Sequence, residues 1–193
     1  YTAETRTDSS GHYSLQALPS NYILSLYGTN FHGNPLLPGS YFLRTLTNSL
    51  SLAQNTVLDL QVPAKRLSIH VQDPAGNSVA NTEVTVDTGV TNPNLTLGTF
   101  PASGSSVGSG RTDLSGNAAL SLFPTPPNSG YSIRAVPPAN SSFATTLLNN
   151  VVVTNDTSVT ITLTTAITLS GQVTDSAGNG LEEQNIQIRT LDD

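Results

Sequence analysis

The chain has 193 residues, a net charge of -6, seven Lys and Arg in total, and no Cys, Met or Trp. Only 10% of its residues are charged, against roughly a quarter in an average soluble domain. So few and scattered cations exclude a phosphate-tracking nucleic-acid binder, and the lack of Cys excludes a disulfide framework, thiol chemistry and a Cys-based zinc site.

Almost every periodic segment alternates apolar and polar residues with period two, the signature of strands with one face in a core and one in water. In chain order these are Tyr13/Leu15, Leu24/Leu26, Leu58/Leu60/Val62, Leu67/Ile69/Val71, Val84/Val86, Leu120/Leu122, Tyr131/Ile133/Ala135, Val159/Ile161/Leu163, Leu169/Val173 and Ile186/Ile188. No helical stretch longer than a turn is expected, and no apolar run reaches the roughly 18 residues of a membrane span. Two stretches rich in Asn, Gly, Ser and Pro, Gly28 to Ser40 and Thr91 to Gly110, read as long surface loops. The junctions Pro63-Ala-Lys-Arg66 and Thr164-Thr-Ala166 are short, so successive units should sit end to end with little freedom.

Four turns share one chemistry: Asp8-Ser-Ser-Gly-His12, Asp73-Pro-Ala-Gly-Asn77, Asp113-Leu-Ser-Gly-Asn117 and Asp175-Ser-Ala-Gly-Asn179. Each begins with a carboxylate able to accept nearby backbone N–H groups and reaches a Gly able to take positive φ, which suits a tight hairpin. A calcium loop needs several oxygen ligands at alternate positions. Each of these offers a single carboxylate, so the turn reading is preferred.

The repeats set the domain organisation. Leu67-Ser-Ile-His-Val-Gln-Asp-Pro-Ala-Gly-Asn77 returns as Leu169-Ser-Gly-Gln-Val-Thr-Asp-Ser-Ala-Gly-Asn179. Thr7-Asp-Ser-Ser-Gly-His-Tyr-Ser-Leu15 returns as Thr112-Asp-Leu-Ser-Gly-Asn-Ala-Ala-Leu120. In the middle of the chain the first motif precedes the second, but the chain opens on a second motif and closes on a first. The expected fold is therefore all-β, tandem β-sandwiches with one complete and two complementary partial domains. Residues 1–64 are a sandwich lacking its first strands, residues 65–166 a complete one, and residues 167–193 the opening strands of another. Because no Met is present, Tyr1 is expected to follow processing or to continue a longer chain.

The hairpin Leu169…Val173-Thr-Asp-Ser-Ala-Gly-Asn-Gly-Leu181 with Ile186-Gln-Ile188 resembles the opening of carboxypeptidase regulatory-like domains. The hairpin Thr7 to Leu15 followed by Tyr22-Ile-Leu-Ser-Leu26, and Thr112 to Leu120 followed by Tyr131-Ser-Ile-Arg-Ala-Val136, resemble that family's next signature, with Ala118 where the family has an aromatic. The resemblance implies tandem Ig-like or transthyretin-like seven-stranded sandwiches serving as a spacer, stabiliser or interaction module in secreted and surface proteins. Related collagen-adhesin domains form an isopeptide crosslink through a Lys two residues before the hairpin Asp. Val71 and Val173 stand there, and Lys65 is the only Lys, so that crosslink is not expected.

No catalytic constellation is readable. His12, His32 and His70 are far apart and read as surface residues; Glu182-Glu183 and Asp192-Asp193 are adjacent pairs that a strand would point to opposite sides. No nucleophile elbow, phosphate loop or dinucleotide fingerprint occurs. Tyr22, Tyr27, Phe31 and Tyr41 gather in the first half, and read as packing residues before a glycan platform. The sequons Asn94-Leu-Thr96, Asn140-Ser-Ser142 and Asn155-Asp-Thr157 are candidate N-glycosylation sites in or beside loops.

These readings converge on a non-enzymatic extracellular structural protein without catalytic residues, cofactor or metal. Its expected partners are copies of itself, joined head-to-tail through Leu169, Val173, Ile186 and Ile188 by strand complementation or tandem repetition into a surface filament, stalk or adhesin. Glycans are a further candidate partner; nucleic acid and membrane insertion are not expected. The alternatives are a glycan- or protein-binding module of an adhesin, with the two long loops as recognition elements, and an accessory domain of a secreted enzyme or outer-membrane receptor.

Overall fold

A computed structural model describes residues 3–30, 34–46 and 50–188. Among them the chain is all-β with no helix. The strands are β1 (Ser20–Tyr22), β2 (Ser25–Thr29), β3 (Ser40–Thr45), β4 (Leu50–Leu52), β5 (Lys65–Gln72), β6 (Glu83–Thr88), β7 (Val90–Leu97) and β8 (Phe100–Val107). There follow β9 (Ser109–Arg111), β10 (Asn117–Leu122), β11 (Tyr131–Val136), β12 (Phe143–Ala144), β13 (Thr146–Val151), β14 (Thr157–Thr162) and β15 (Thr164–Thr165).

The alternation in β5 decides the centre of the fold. Leu67, Ile69 and Val71 are buried while Ser68, His70 and Gln72 are only half-buried, so one face must be covered by a second layer. That layer is supplied by the sheet β13-β11-β6-β9, packed on the sheet β10-β5-β14. Both contribute to one core: Leu67, Ile69, Val71, Leu120, Leu122 and Ile161 from the first, Val84, Tyr131, Ile133, Ala135 and Val151 from the second. In the three-stranded sheet β10 lies antiparallel to β5, with Ala118 opposite Ile69, and β14 lies parallel to it, with Val159 opposite Ile69. At about 1.5–3 kcal/mol per large apolar side chain, this core is the main source of stability for residues 65–163.

A second, smaller core lies under the sheet β2-β3-β8-β7. Leu43, Leu95, Leu97, Ala102 and Phe123 are buried there, with Leu24, Leu26, Tyr41, Leu60 and Val62 packed against them. This sheet crosses the boundary expected at residue 64, because β7 and β8 leave the central sandwich between β6 and β9, pair with each other, and β8 pairs with β3. The surface loop expected from Thr91 to Gly110 is thus a β-hairpin. Its small and polar residues are those a close backbone approach requires: a Cβ on Gly104 would lie 2.5 Å from the Phe42 carbonyl oxygen. Gly98 closes the hairpin at a φ of 60°, a conformation open to glycine at little cost. In the other expected loop, Gly28 and Thr29 belong to β2 and Ser40 to β3.

Three stretches with strand-like alternation form no ladder. Residues 12–18 and 53–64 lie in no strand, and from 167 to 188 the only pairing is the bridge Thr174 to Gly180. A ladder needs a neighbouring strand to take up its N–H and C=O groups, and among the described residues no strand is paired with these stretches.

The two cores are tied together by a buried polar network. Tyr131 donates its hydroxyl hydrogen to the Phe123 carbonyl at 2.8 Å, Ser106 Oγ accepts the Phe123 N–H at 2.7 Å, and the two hydroxyls meet at 3.2 Å. Burial holds the Tyr131 hydroxyl above its ordinary pKa. The Phe123 ring meets Tyr41 edge-on at 5.9 Å.

Candidate assembly interface

Residues 173–183 repeat the local conformation of residues 71–81. The bridge Thr174 to Gly180 matches Gln72 to Ser78. Gly178 at a φ of 86° matches Gly76 at 87°, and Glu183 at 57° matches Asn81 at 60°. Asp175 accepts the backbone N–H groups of Ala177 and Asn179, as Asp73 accepts those of Ala75 and Asn77. In both turns the Asn side-chain amide donates 2.9 Å to the second carboxylate oxygen. These bonds, the Asn amide first, hold both carboxyls below their ordinary pKa. The turn therefore forms from its own residues, as Asx-turn chemistry predicts.

What differs is the surroundings. Leu67, Val71 and Val84 are each 0% exposed, whereas their counterparts Leu169, Val173 and Ile186 are 76%, 38% and 73% exposed. Ile188, the counterpart of half-buried Val86, is 74% exposed. The four residues expected to form an assembly surface thus line one preformed turn and the segments flanking it, with their apolar side chains in water.

The opening segment carries the complementary deficit. Thr112 is buried, accepts the Thr82 N–H at 2.8 Å and donates to the Val79 carbonyl at 2.9 Å, tying the second hairpin to the residues after the first. Its counterpart Thr7 is exposed. Sequence reasoning passed over this Thr, although its presence before the Asp of both second motifs was the available signal. Gly116 is crowded, since a Cβ there would lie 2.6 Å from the Val71 carbonyl oxygen, but its counterpart Gly11 has nothing within 4 Å. Tyr13 donates to the Leu58 carbonyl at 2.6 Å, and burial followed by the nearby Asp59 charge raises its pKa.

The remaining candidates are dispersed. His12 is exposed, 3.8 Å from Asp8, and His70 faces Asn117 at 2.9 Å on the outer side of β5. His32, Phe31, Asp192 and Asp193 lie outside the described residues. Tyr41 packs against the second core, Tyr22 donates to the Leu18 carbonyl, and Tyr27 donates to Glu4. Among the described residues no group of three or more His, Asp or Glu is placed to hold a metal, and no helix is long and apolar enough to cross a membrane. The sequon asparagines Asn94, Asn140 and Asn155 are all exposed. Asn140 lies in a turn and Asn155 at a bend of the chain, and Asn94 sits in β7 at a register shift against β8 rather than in a loop.

The sequence matches no family model and no curated protein. The carboxypeptidase regulatory-like resemblance accordingly rests on its hairpin motifs alone. Among solved structures the chain is similar to the shaft pilin SpaA of Lactobacillus rhamnosus GG, at 12% identity and a TM-score of 0.34, over 85% of this chain and 81% of that one.

Proposed function

We propose that this chain is a non-catalytic structural protein of the cell exterior, a subunit or repeat unit of a surface filament, stalk or adhesin built head-to-tail from carboxypeptidase regulatory-like β-sandwiches. The carrying observation is the contrast between exposed Leu169, Val173 and Ile186 and their fully buried internal counterparts. Burying the four large side chains Leu169, Val173, Ile186 and Ile188 in a neighbour is worth on the order of 6–12 kcal/mol before ordering costs. Strand pairing adds main-chain hydrogen bonds, and it removes unpaired edges that otherwise invite aggregation. Donor and acceptor surfaces differ, so the contact is heterologous and propagates into a fibre. The exposed sequons make sugar at Asn94, Asn140 and Asn155 part of the same reading.

The test is the size and shape of the purified material by electron microscopy and light scattering, with and without denaturant. Fibres that dissolve into single chains support complementation between copies, and fibres whose units stay covalently joined support tandem repetition. Discrete globular monomers at every concentration overturn the proposal.

A further inference from the structure

We infer that residues 167–188 of one copy enter a second copy and become a pair of strands there, joined by the preformed Asp175 turn, the first filling a gap between residues 12–17 and 56–61 and the second adding to the edge of β2. This rests on the head-to-tail reading above and fixes its register. The complete sandwich supplies the template. There β5 runs between β10 and β14, and β6, joined to β5 by the Asp73 turn, pairs with β11. The repeats place residues 12–17 where β10 stands, and Leu58, Leu60 and Val62 where Val159, Ile161 and Leu163 stand. No strand is paired with either stretch among the described residues. What crosses the gap is the Tyr13 side chain, hydrogen-bonded to the Leu58 carbonyl. A missing strand leaves two ladder spacings, about 10 Å, a width one tyrosine side chain and a hydrogen bond can bridge.

The second half of the donor has its own place. Tyr22, Leu24 and Leu26 correspond to Tyr131, Ile133 and Ala135 of β11. β11 is paired on both sides, by β13 and β6, whereas β2 is an edge strand with β3 on one side. Transferring the β11–β6 register puts Ile186 beside Leu26 and Ile188 beside Leu24, so both exposed isoleucines reach the smaller core.

Side-chain size marks the register. Ala118 and Val159 flank Ile69 from opposite sides. Their counterparts Tyr13 and Leu58 flank the position that Gly171 takes in the incoming strand. A large residue against a small one in the complete unit becomes a small residue against a large one at the junction, where Gly171, lacking a Cβ, leaves space for the Tyr13 ring. The two other deficits close in the same arrangement: Gly11 meets the Val173 carbonyl as Gly116 meets that of Val71, and Thr7 meets residues 181–184 as Thr112 meets residues 79–82.

The test is a size swap in the full chain, read by sedimentation velocity over a concentration series. An ideal Cβ at Gly171 meets nothing within 4 Å and the backbone there is not left-handed, so Gly171→Ile should leave the single chain folded. It should raise the concentration needed for assembly by about 100-fold through overpacking against Tyr13. Adding Tyr13→Ala, which recreates the Ile69–Ala118 pairing, should restore assembly to within about tenfold of the unmodified chain. In parallel, two singly substituted chains, Ser14→Cys and Ser170→Cys, should crosslink when mixed and not when alone, since the opposed pair Ala119 and Ser68 is their template. Assembly that persists with neither rescue nor the mixed crosslink overturns this register and leaves the head-to-tail reading standing. An unmodified chain that stays monomeric throughout the series overturns both.

Discussion

Replacing both donor isoleucines, Ile186→Asp with Ile188→Asp, separates assembly from folding. In the single chain these residues are 73% and 74% exposed, so the substitutions should change its stability by no more than about 0.5 kcal/mol. At the junction Ile186 is expected to become as buried as Val84 and Ile188 at least as buried as Val86, and an Ile side chain taken out of water is worth up to about 1.5–3 kcal/mol. Losing both removes up to about 3–6 kcal/mol, a weakening on the order of 100-fold to 10,000-fold in the association constant. Two carboxylates forced into an apolar core add a further penalty, because a buried charge without a partner is destabilising. Sedimentation velocity should show single chains at concentrations where the unmodified protein polymerises, with the thermal melt followed by circular dichroism unmoved for the single chain. Assembly at the unmodified concentration would refute the reasoning. So would a melting temperature lowered by several degrees, since it would mean that both side chains already pack within their own chain.

Tyr131→Phe removes the hydroxyl that joins Phe123 and Ser106 between the two cores; it should cost about 1–3 kcal/mol, and an unchanged urea midpoint would count against the network. Gly116→Ala should destabilise the single chain by at least about 1 kcal/mol, because φ is +73° and the added Cβ lies 2.6 Å from the Val71 carbonyl oxygen. Gly11→Asn and Gly178→Asn carry similar backbone strain and open surroundings in the single chain; only the first should impair polymerisation, as measured by light scattering, and equal behaviour would contradict the proposed contact at Gly11. The Asp73 and Asp175 carboxyls are held below their ordinary value by the Asn77 and Asn179 amides and the turn N–H groups. A depressed folded-state pKa means that the turns gain from ionisation above the ordinary carboxylate value of 3.8 and lose it as pH falls through the lower folded value. Carboxyl carbon NMR titrations should place both midpoints below that of an unstructured Asp, and ordinary midpoints would remove the turn bonding.

The β5 pattern was legible because its alternation is strict and its Asp73 turn carries its own hydrogen bonds. The hairpin of β7 and β8 was not. Asn92, Ala102, Gly104 and Ser106 have weak strand preference, and what places them in a sheet is the neighbouring β3 and the close approach at Gly104. The apolar residues Leu95, Leu97 and Phe100 around Gly98 were the available trace of it. Conversely, Leu58, Leu60 and Val62 alternate as a strand should, and Leu60 and Val62 pack against the smaller core, yet no ladder forms, because alternation encodes a face and not the presence of a neighbour. The candidate assembly residues were legible for the same reason as β5, through their one-to-one correspondence with Leu67, Val71, Val84 and Val86. The Ser106–Tyr131–Phe123 network was invisible, since it joins residues that meet only through the fold.

The parallel pairing of β14 with β5 has a mechanical consequence. The polypeptide enters the central unit at Lys65, the start of β5, and leaves it beyond Thr162, the end of β14, and the two strands are in register from Leu67 with Thr157 to Gln72 with Thr162. Tension applied through the chain at those two points drags the strands past each other lengthwise, so every bond of that ladder is loaded together instead of peeling apart one at a time. A unit wired in this way yields in shear, the geometry that lets a thin thread carry a pulling force along its axis.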